Sequence, residues 1–226
     1  MIREAIPLLV RGEIPQVELD FALQNKEAIP LLVRGLGFCF AKQGGIKMAK
    51  NLIIYYSRKG ENYVNGKIMD LKKGNTEICA EFIQKAVGGD LFEVETVEEY
   101  SKDYHKCTEE ASKELKENAR PELKKYLDDI SGYDNIFVCG PCWWGTYPVA
   151  VFTQLERLDF TGKKVMALMT HEGSGLGNSE RDLRKICKGA AFGSGIAVHG
   201  ADAAKAEAAV ADWAKKNGGT EICQKN

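Results

Sequence analysis

Several absences narrow the field before any motif is considered. None of the apolar runs in the 226 residues approaches the roughly 20 needed to cross a bilayer. An excess of one charge is missing as well. Lys and Arg number 31 against 32 Asp and Glu, a formal net charge of −1, which gives no support to a nucleic-acid or membrane-surface partner. The cysteines (Cys39, Cys79, Cys107, Cys139, Cys142, Cys187 and Cys223) are odd in number and irregular in spacing, so no disulfide framework is expected in a chain this long. Reduced thiols and a cytoplasmic location follow as expectations. No second Cys or His pair has the spacing of zinc ligands. The pattern Gly-x4-Gly-Lys-Ser/Thr is also lacking, which disfavours nucleotide hydrolysis.

Residues 1–47 show none of the charged, apolar and small-residue zones of a signal peptide. They hold instead a duplication, Glu4-Ala-Ile-Pro-Leu-Leu-Val-Arg-Gly12 recurring unchanged as Glu27 to Gly35. Two copies are too few for a solenoid, and Pro7 and Pro30 confine any strand there to an edge or a strand start. Met48-Ala-Lys then opens the first convincing strand. The expected organisation is an N-terminal extension over 1–47, outside the fold, and one domain over 48–226.

Within that domain apolar runs alternate with amphipathic segments. Strands are expected at 51–56, 90–97, 135–140, 164–170 and 195–199. Helices are expected at about 75–87, 109–118, 121–130, 149–158, 178–188 and 203–216. Asn65-Gly66 between short apolar pairs predicts a hairpin inserted before the first helix. Strands alternating with helices imply an α/β fold, a doubly wound five-stranded parallel sheet with helices on both faces. Ligands in such folds bind at the carboxyl edge of the sheet.

Three loops at that edge carry the candidate chemistry. In the first, Ser57, Lys59, Gly60 and Asn62 lie on one side of the hairpin, with Asn75 and Thr76 on the other, at a helix start. Hydroxyls, amides and backbone N–H groups there suit a phosphate, with Arg58 adding charge; an ordinary capped loop is the plainer alternative. The second loop is Pro141-Cys142-Trp143-Trp144-Gly145-Thr146-Tyr147-Pro148. Successive side chains of an extended strand alternate in direction, so two adjacent tryptophans do not both enter the core. They suit a flat aromatic ligand, with Gly145 admitting close backbone approach; one packed and one exposed indole is the alternative. The third loop is His171-Glu172-Gly173-Ser174-Gly175, rich in glycine. His171 taken alone reads more commonly as a satisfied surface histidine, and His105 and His199 acquire no role. Cys139-Gly-Pro-Cys142 spells a thiol–disulfide exchange motif, yet Cys139 follows Ile-Phe-Val on a buried strand, where such a thiol is poorly placed to react.

These three loops in this order resemble the flavodoxin-like FMN-binding family over about residues 50–216. The segment Pro141-Cys-Trp-Trp-Gly-Thr-Tyr-Pro148 is similar to the Pro-x-Trp-Trp-Gly-Thr-x-Pro of one of its subgroups. The resemblance implies strand order 2-1-3-4-5, with FMN at the point where the order reverses. It implies that the first loop and following helix hold the phosphate and the two later loops hold the isoalloxazine. The first loop departs from the compact family pattern Thr/Ser-x-Thr-Gly-Asn-Thr, being split by the hairpin. The implied function is an FMN-dependent oxidoreductase passing electrons from NAD(P)H to a quinone or similar acceptor, with no protein acid or base required. A carboxylate at Glu172 near the ring would lower its potential. Alternatives are a flavodoxin-type one-electron carrier, a non-enzymatic binding module and, remotely, exchange chemistry at Cys139 and Cys142. Flavodoxins are usually strongly acidic. Residues 1–47 hold six of the basic and five of the acidic residues, so the remainder stands at only −2. That favours a reductase over a shuttle docking on basic protein partners.

Overall fold

The structure, a computed structural model, describes residues 47–218 and 221–222. The duplicated segments therefore lie outside the described residues. In chain order the elements are β1 (Lys47–Met48), β2 (Asn51–Tyr55), β3 (Gly60–Val64), β4 (Lys67–Leu71), α1 (Asn75–Val87), β5 (Asp90–Glu93), α2 (Tyr104–Lys116), β6 (Asn135–Pro141), α3 (Val149–Leu155), β7 (Lys164–His171), α4 (Ser179–Ile186), β8 (Ala191–Phe192), β9 (Ile196–His199), a 3-10 turn (Gly200–Lys205), α5 (Glu207–Gly218) and β10 (Glu221–Ile222). No helix among the described residues is long and apolar enough to cross a membrane.

The central sheet runs β5-β2-β6-β7 with every pair parallel. The far edge of β7 is shared by β8, opposite Lys164 and Val165, and by β9, opposite Leu168 to His171. Taken as one interrupted strand, β8 and β9 complete the order 2-1-3-4-5. The interruption falls at Gly193, whose N–H still bonds Val165 O at 3.0 Å while its bare Cα lies against the Asn217 amide. The pair β1–β10 and the hairpin β3–β4 are separate two-stranded sheets.

Alternation along the buried strands divides the core in two. Leu52, Ile54, Ile136, Val138, Val165, Ala167 and Met169 face α3 and α4. Ile53, Tyr55, Phe137, Cys139, Met166 and Leu168 face α1, the 3-10 turn and α5. This two-sided burial is why these strands read as near-continuous apolar runs. At the amino edge of the sheet buried polar groups are paired. Asn135 Nδ2 donates to Asn51 Oδ1 at 2.9 Å and to Gly218 O at 3.3 Å, and Asn51 Nδ2 donates to Val87 O at 2.8 Å. These bonds satisfy carbonyls that α1 and α5 leave open at their ends.

Three expectations are corrected. The helix expected at 121–130 does not form. Pro121 is followed by a bridge between Leu123 and Thr96, with Val97 N bonding Glu122 O at 2.9 Å and Lys124 N bonding Glu95 O at 2.9 Å. Further on, the buried Gln154 amide accepts from Leu127 N and donates to Leu127 O, which satisfies an extended backbone. Tertiary partners override helix propensity here. The second strand stops at Glu93 rather than running to 97, and the helix expected from 109 starts at Tyr104. Asp103 caps that helix by accepting from Lys106 N at 2.8 Å.

Candidate functional site

At the carboxyl edge, the end of β2 leads into Ser57. Its Oγ accepts from Glu77 N at 3.0 Å, so it caps α1 from a distance. Gly74, which precedes the helix, has no room for a Cβ between Ser57 and the Arg58 carbonyl. The N–H groups of Asn75 and Thr76, the first two of α1, meet no acceptor among the described residues. The Thr76 hydroxyl is buried and shares a 2.8 Å hydrogen bond with the Thr170 hydroxyl, tying α1 to β7. Asn62 Nδ2 donates to Arg58 O and Gly60 O and so closes the first loop on itself. Arg58 donates to the carbonyls of Glu61, Ser101 and Lys102, which makes it a clamp on the connector before α2. Lys59 is exposed.

The inserted hairpin turns at Asn65 (φ 47°) and Gly66 (φ 83°), the two left-handed residues of a tight two-residue turn. Its base is held by Glu61 Oε2, which accepts from Tyr104 N at 2.8 Å, and by Tyr63, whose ring stacks on Tyr104 at 6.1 Å. Its tip reaches the third loop, where Asn65 N donates to Glu172 Oε2 at 2.9 Å. The hairpin thus connects the first loop to the third at the carboxyl edge.

The second loop is itself a tight turn. Trp143 and Thr146 exchange backbone bonds at 2.8 and 3.2 Å around Trp144 (φ 52°) and Gly145 (φ 85°). A bulky residue at positive φ is rare. The two indoles part. Trp143 packs edge-on against Tyr56 at 5.3 Å and Tyr100 at 5.0 Å. Trp144 is 59% exposed and reaches across to donate Nε1–H to Thr108 O at 2.9 Å. Pro141 pairs with Thr170 at the end of the sheet, and Cys142 N bonds Thr170 O at 2.8 Å. The buried Thr146 hydroxyl donates to Asp182 at 2.8 Å. A cleft of about 360 Å³, in the size range of small-molecule sites, opens between Arg58, Asn62, Tyr104, Cys142, Trp143 and Trp144.

In the third loop His171 Nδ1 accepts from Gly173 N at 2.9 Å, and its ring meets that of His199 edge-on at 5.7 Å. Burial, then the neighbouring His199, lowers the His171 pKa below its ordinary 6.5. Gly173 (φ 140°) and Gly175 (φ 60°) leave open space where side chains would stand, and Ser174 O accepts from Gly177 N at 3.1 Å. The second and third loops are joined by Asn178 N bonding Gly145 O at 2.7 Å, an approach that a Cβ on Gly177 would block.

The fold therefore brings Ser57, Asn75 and Thr76 to one helix start, and locks Pro141–Thr146 to the loop that follows His171. Cys139 is fully buried and its thiol is pushed well up by burial, the opposite of what exchange chemistry needs. Two features escaped sequence reasoning: the contact of the hairpin tip with Glu172, and His199, whose Nε2 lies 3.6 Å from Glu172 Oε2. Asn-Gly announced the turn, but no local signal announces its destination. No group of three or more His, Cys, Asp or Glu among the described residues is arranged to hold a metal.

Comparison with known proteins agrees with this geometry. The family model described as flavodoxin matches residues 50–217. No curated protein matches the chain. Among solved structures, a candidate flavoprotein of Bacteroides uniformis is 28% identical, with TM-score 0.58 over 75% of this chain and 99% of its own. A candidate flavoprotein of Bacteroides eggerthii is 26% identical, with TM-score 0.58 over 75% of this chain and 98% of its own. A Lactobacillus acidophilus flavoprotein solved in complex with FMN shares the fold at 21% identity, with TM-score 0.50 over 74% of this chain and 99% of its own. Parallel order, carboxyl-edge loops and a match across nearly all the described residues lead to one conclusion: the chain belongs to the flavodoxin family.

Proposed function

We propose that residues 48–226 bind FMN and pass electrons from NAD(P)H to a quinone or similar small acceptor. The observation that carries this reading is the presence at one sheet edge of α1 N–H groups that meet no acceptor among the described residues and of an aromatic-walled cleft. A helix start takes a phosphate, and indole faces beside glycine backbone take a flat ring. The donors fit FMN. Asn75 and Thr76 offer backbone N–H, and Ser57 keeps its O–H to donate while its oxygen accepts from Glu77. Trp143, Trp144 and the backbone at Gly145 and Gly173–Gly175 would flank the ring. A protein of the same fold from Lactobacillus acidophilus was solved with FMN.

FMN supplies the redox chemistry when bound; this chain holds it, orients it and limits water around it. A formal charge of only −2 beyond residue 47 offers little long-range pull on a basic protein partner. The hairpin tip is bonded to Glu172 and so ties the first loop to the third. The low charge favours a small acceptor. The test is an absorbance spectrum before and after FMN is added, followed by NADPH and NADH. Flavin bands that a nicotinamide bleaches are expected. Bands that only dithionite bleaches would replace the reductase with a carrier, and no flavin bands at all would overturn FMN binding.

A further inference from the structure

We propose that the cleft between the second loop and α2 is the acceptor site, and that Arg58 selects there for flat aromatic acceptors carrying a negative group. The proposal rests on the FMN reading and names the substrate class which that reading leaves open.

The cleft of about 360 Å³ has Tyr104, Cys107, Thr108 and Ala111 of α2 on one side and Cys142, Trp143 and Trp144 on the other. None of the described residues that line it comes from α1 or from the third loop. A flavin anchored at α1 and flanked by Gly145 and Gly173–Gly175 would leave the α2 side of the tryptophans to a second molecule. Trp144 joins the two walls through its Nε1–H, bonded to Thr108 O at 2.9 Å. Indole and phenol faces suit a flat aromatic guest.

Among the described residues that line this cleft, Arg58 alone is charged. Its Nε donates to Glu61 O and its Nη2 to the carbonyls of Ser101 and Lys102, each at 2.9 Å. These acceptors fix the plane of the guanidinium but bring no negative charge. No described carboxylate pairs with it, and that of Glu61, close in sequence, accepts from Tyr104 N instead. The Cys107 thiol beside it stays neutral, because burial raises its pKa to about 11 and outweighs the pull of Arg58. Nη1, with two N–H groups, bonds no oxygen among the described residues. A guanidinium held in one plane without a counter-charge matches a carboxylate or a sulfonate.

A neutral quinone would use the aromatic walls alone, so the anionic substituent supplies the discrimination. The chemistry itself is unchanged by it. A quinone takes up two electrons and two protons, a hydride equivalent from NAD(P)H by way of the flavin and one proton from water, and leaves as the hydroquinone with NAD(P)+.

The experiment measures dissociation constants of 2-naphthoate and its neutral isostere 2-naphthamide for FMN-loaded wild type, Arg58→Lys and Arg58→Gln, by calorimetric titration. Wild type should bind naphthoate about tenfold more tightly than naphthamide, and the preference should shrink in about 1 M salt. Arg58→Gln should bind the two alike, and Arg58→Lys should keep part of the preference. The ratio is taken on one protein at a time, so a general loosening of the clamp on the connector does not move it. Equal binding by wild type, or a preference that survives in Arg58→Gln, would overturn the proposal. Displacement of naphthoate by FMN would make the cleft the ring's own seat and overturn it too. Wild type that takes up no FMN would instead sink the FMN reading and is recognised by its colourless spectrum, so the two failures are distinct.

Discussion

The two edges of the sheet are built to opposite rules. At the amino edge Asn51, Asn135 and Gly218 close a compact set of buried hydrogen bonds, and Gly89 and Gly218 let backbone and rings touch where a side chain would not fit. At the carboxyl edge Trp144 holds a left-handed backbone, a large indole stands in solvent, and one carboxylate oxygen is buried with no donor among the described residues. One edge is satisfied and fixes the fold, whereas the other keeps strain and open valences that a ligand can use.

The largest expected effect breaks the satisfied edge. Gly89 has φ 108°, and a side chain there would meet the Asn51 backbone. Gly89→Val should therefore destabilise the fold by about 2–5 kcal/mol, through strain and overpacking together. Urea unfolding checks this, and FMN affinity of the molecules that remain folded should not change. A midpoint near that of wild type would mean the edge yields more easily than its contacts imply.

An intermediate effect belongs to the other edge and has the opposite signature. Trp144→Gly places a residue that accepts positive φ at a left-handed site. Stability should stay within about 1 kcal/mol of wild type, while FMN affinity falls about fivefold to tenfold as a ring contact disappears. Calorimetric unfolding and flavin titration on the same preparation separate the two quantities. A large loss of stability would remove the contrast between the edges.

Much of this division was legible in advance because the strands are short, two-sided and bounded by glycine or polar turns. Asn51–Tyr55, Asn135–Pro141 and Lys164–His171 announce themselves by unbroken apolar runs, and the loops after them by abrupt changes of residue type. Legibility fails where partners are distant in sequence. The stretch 121–130 has helical periodicity, but Thr96 and Gln154, neither adjacent to it, hold it extended. The tip of the hairpin is bonded to a residue 107 positions away, and His199 meets Glu172 only because β9 pairs with β7. The tryptophan pair shows an intermediate case. Strand geometry separates the two indoles, but only the fold reveals that Trp143 joins Tyr56 and Tyr100 while Trp144 bridges to α2.

The smallest expected effect is a pH dependence at the carboxyl edge. With the His171 pKa lowered in the fold, the neutral ring is the folded form, and its Nδ1 accepts from Gly173 N. Above pH 6.5 the stability is fully present. As the pH falls below that value the unfolded chain takes the proton first, and stability declines until the folded pKa is reached. His171→Asn, which retains an acceptor for Gly173, should flatten this slope when thermal unfolding is followed between about pH 5 and 8. An unchanged slope would place the titration elsewhere.

The distribution of the three tryptophans also makes the protein its own optical probe. Trp143 and Trp144 stand at the candidate cleft, whereas Trp213 lies on the opposite face of the sheet, against Phe137 and bonded to Ser194 O. Indole emission overlaps flavin absorption, so a flavin seated between the loops would quench the first two most strongly. The blue-shifted light of the buried Trp213 would then dominate what remains. Intrinsic fluorescence can therefore report filling of the site without any added label.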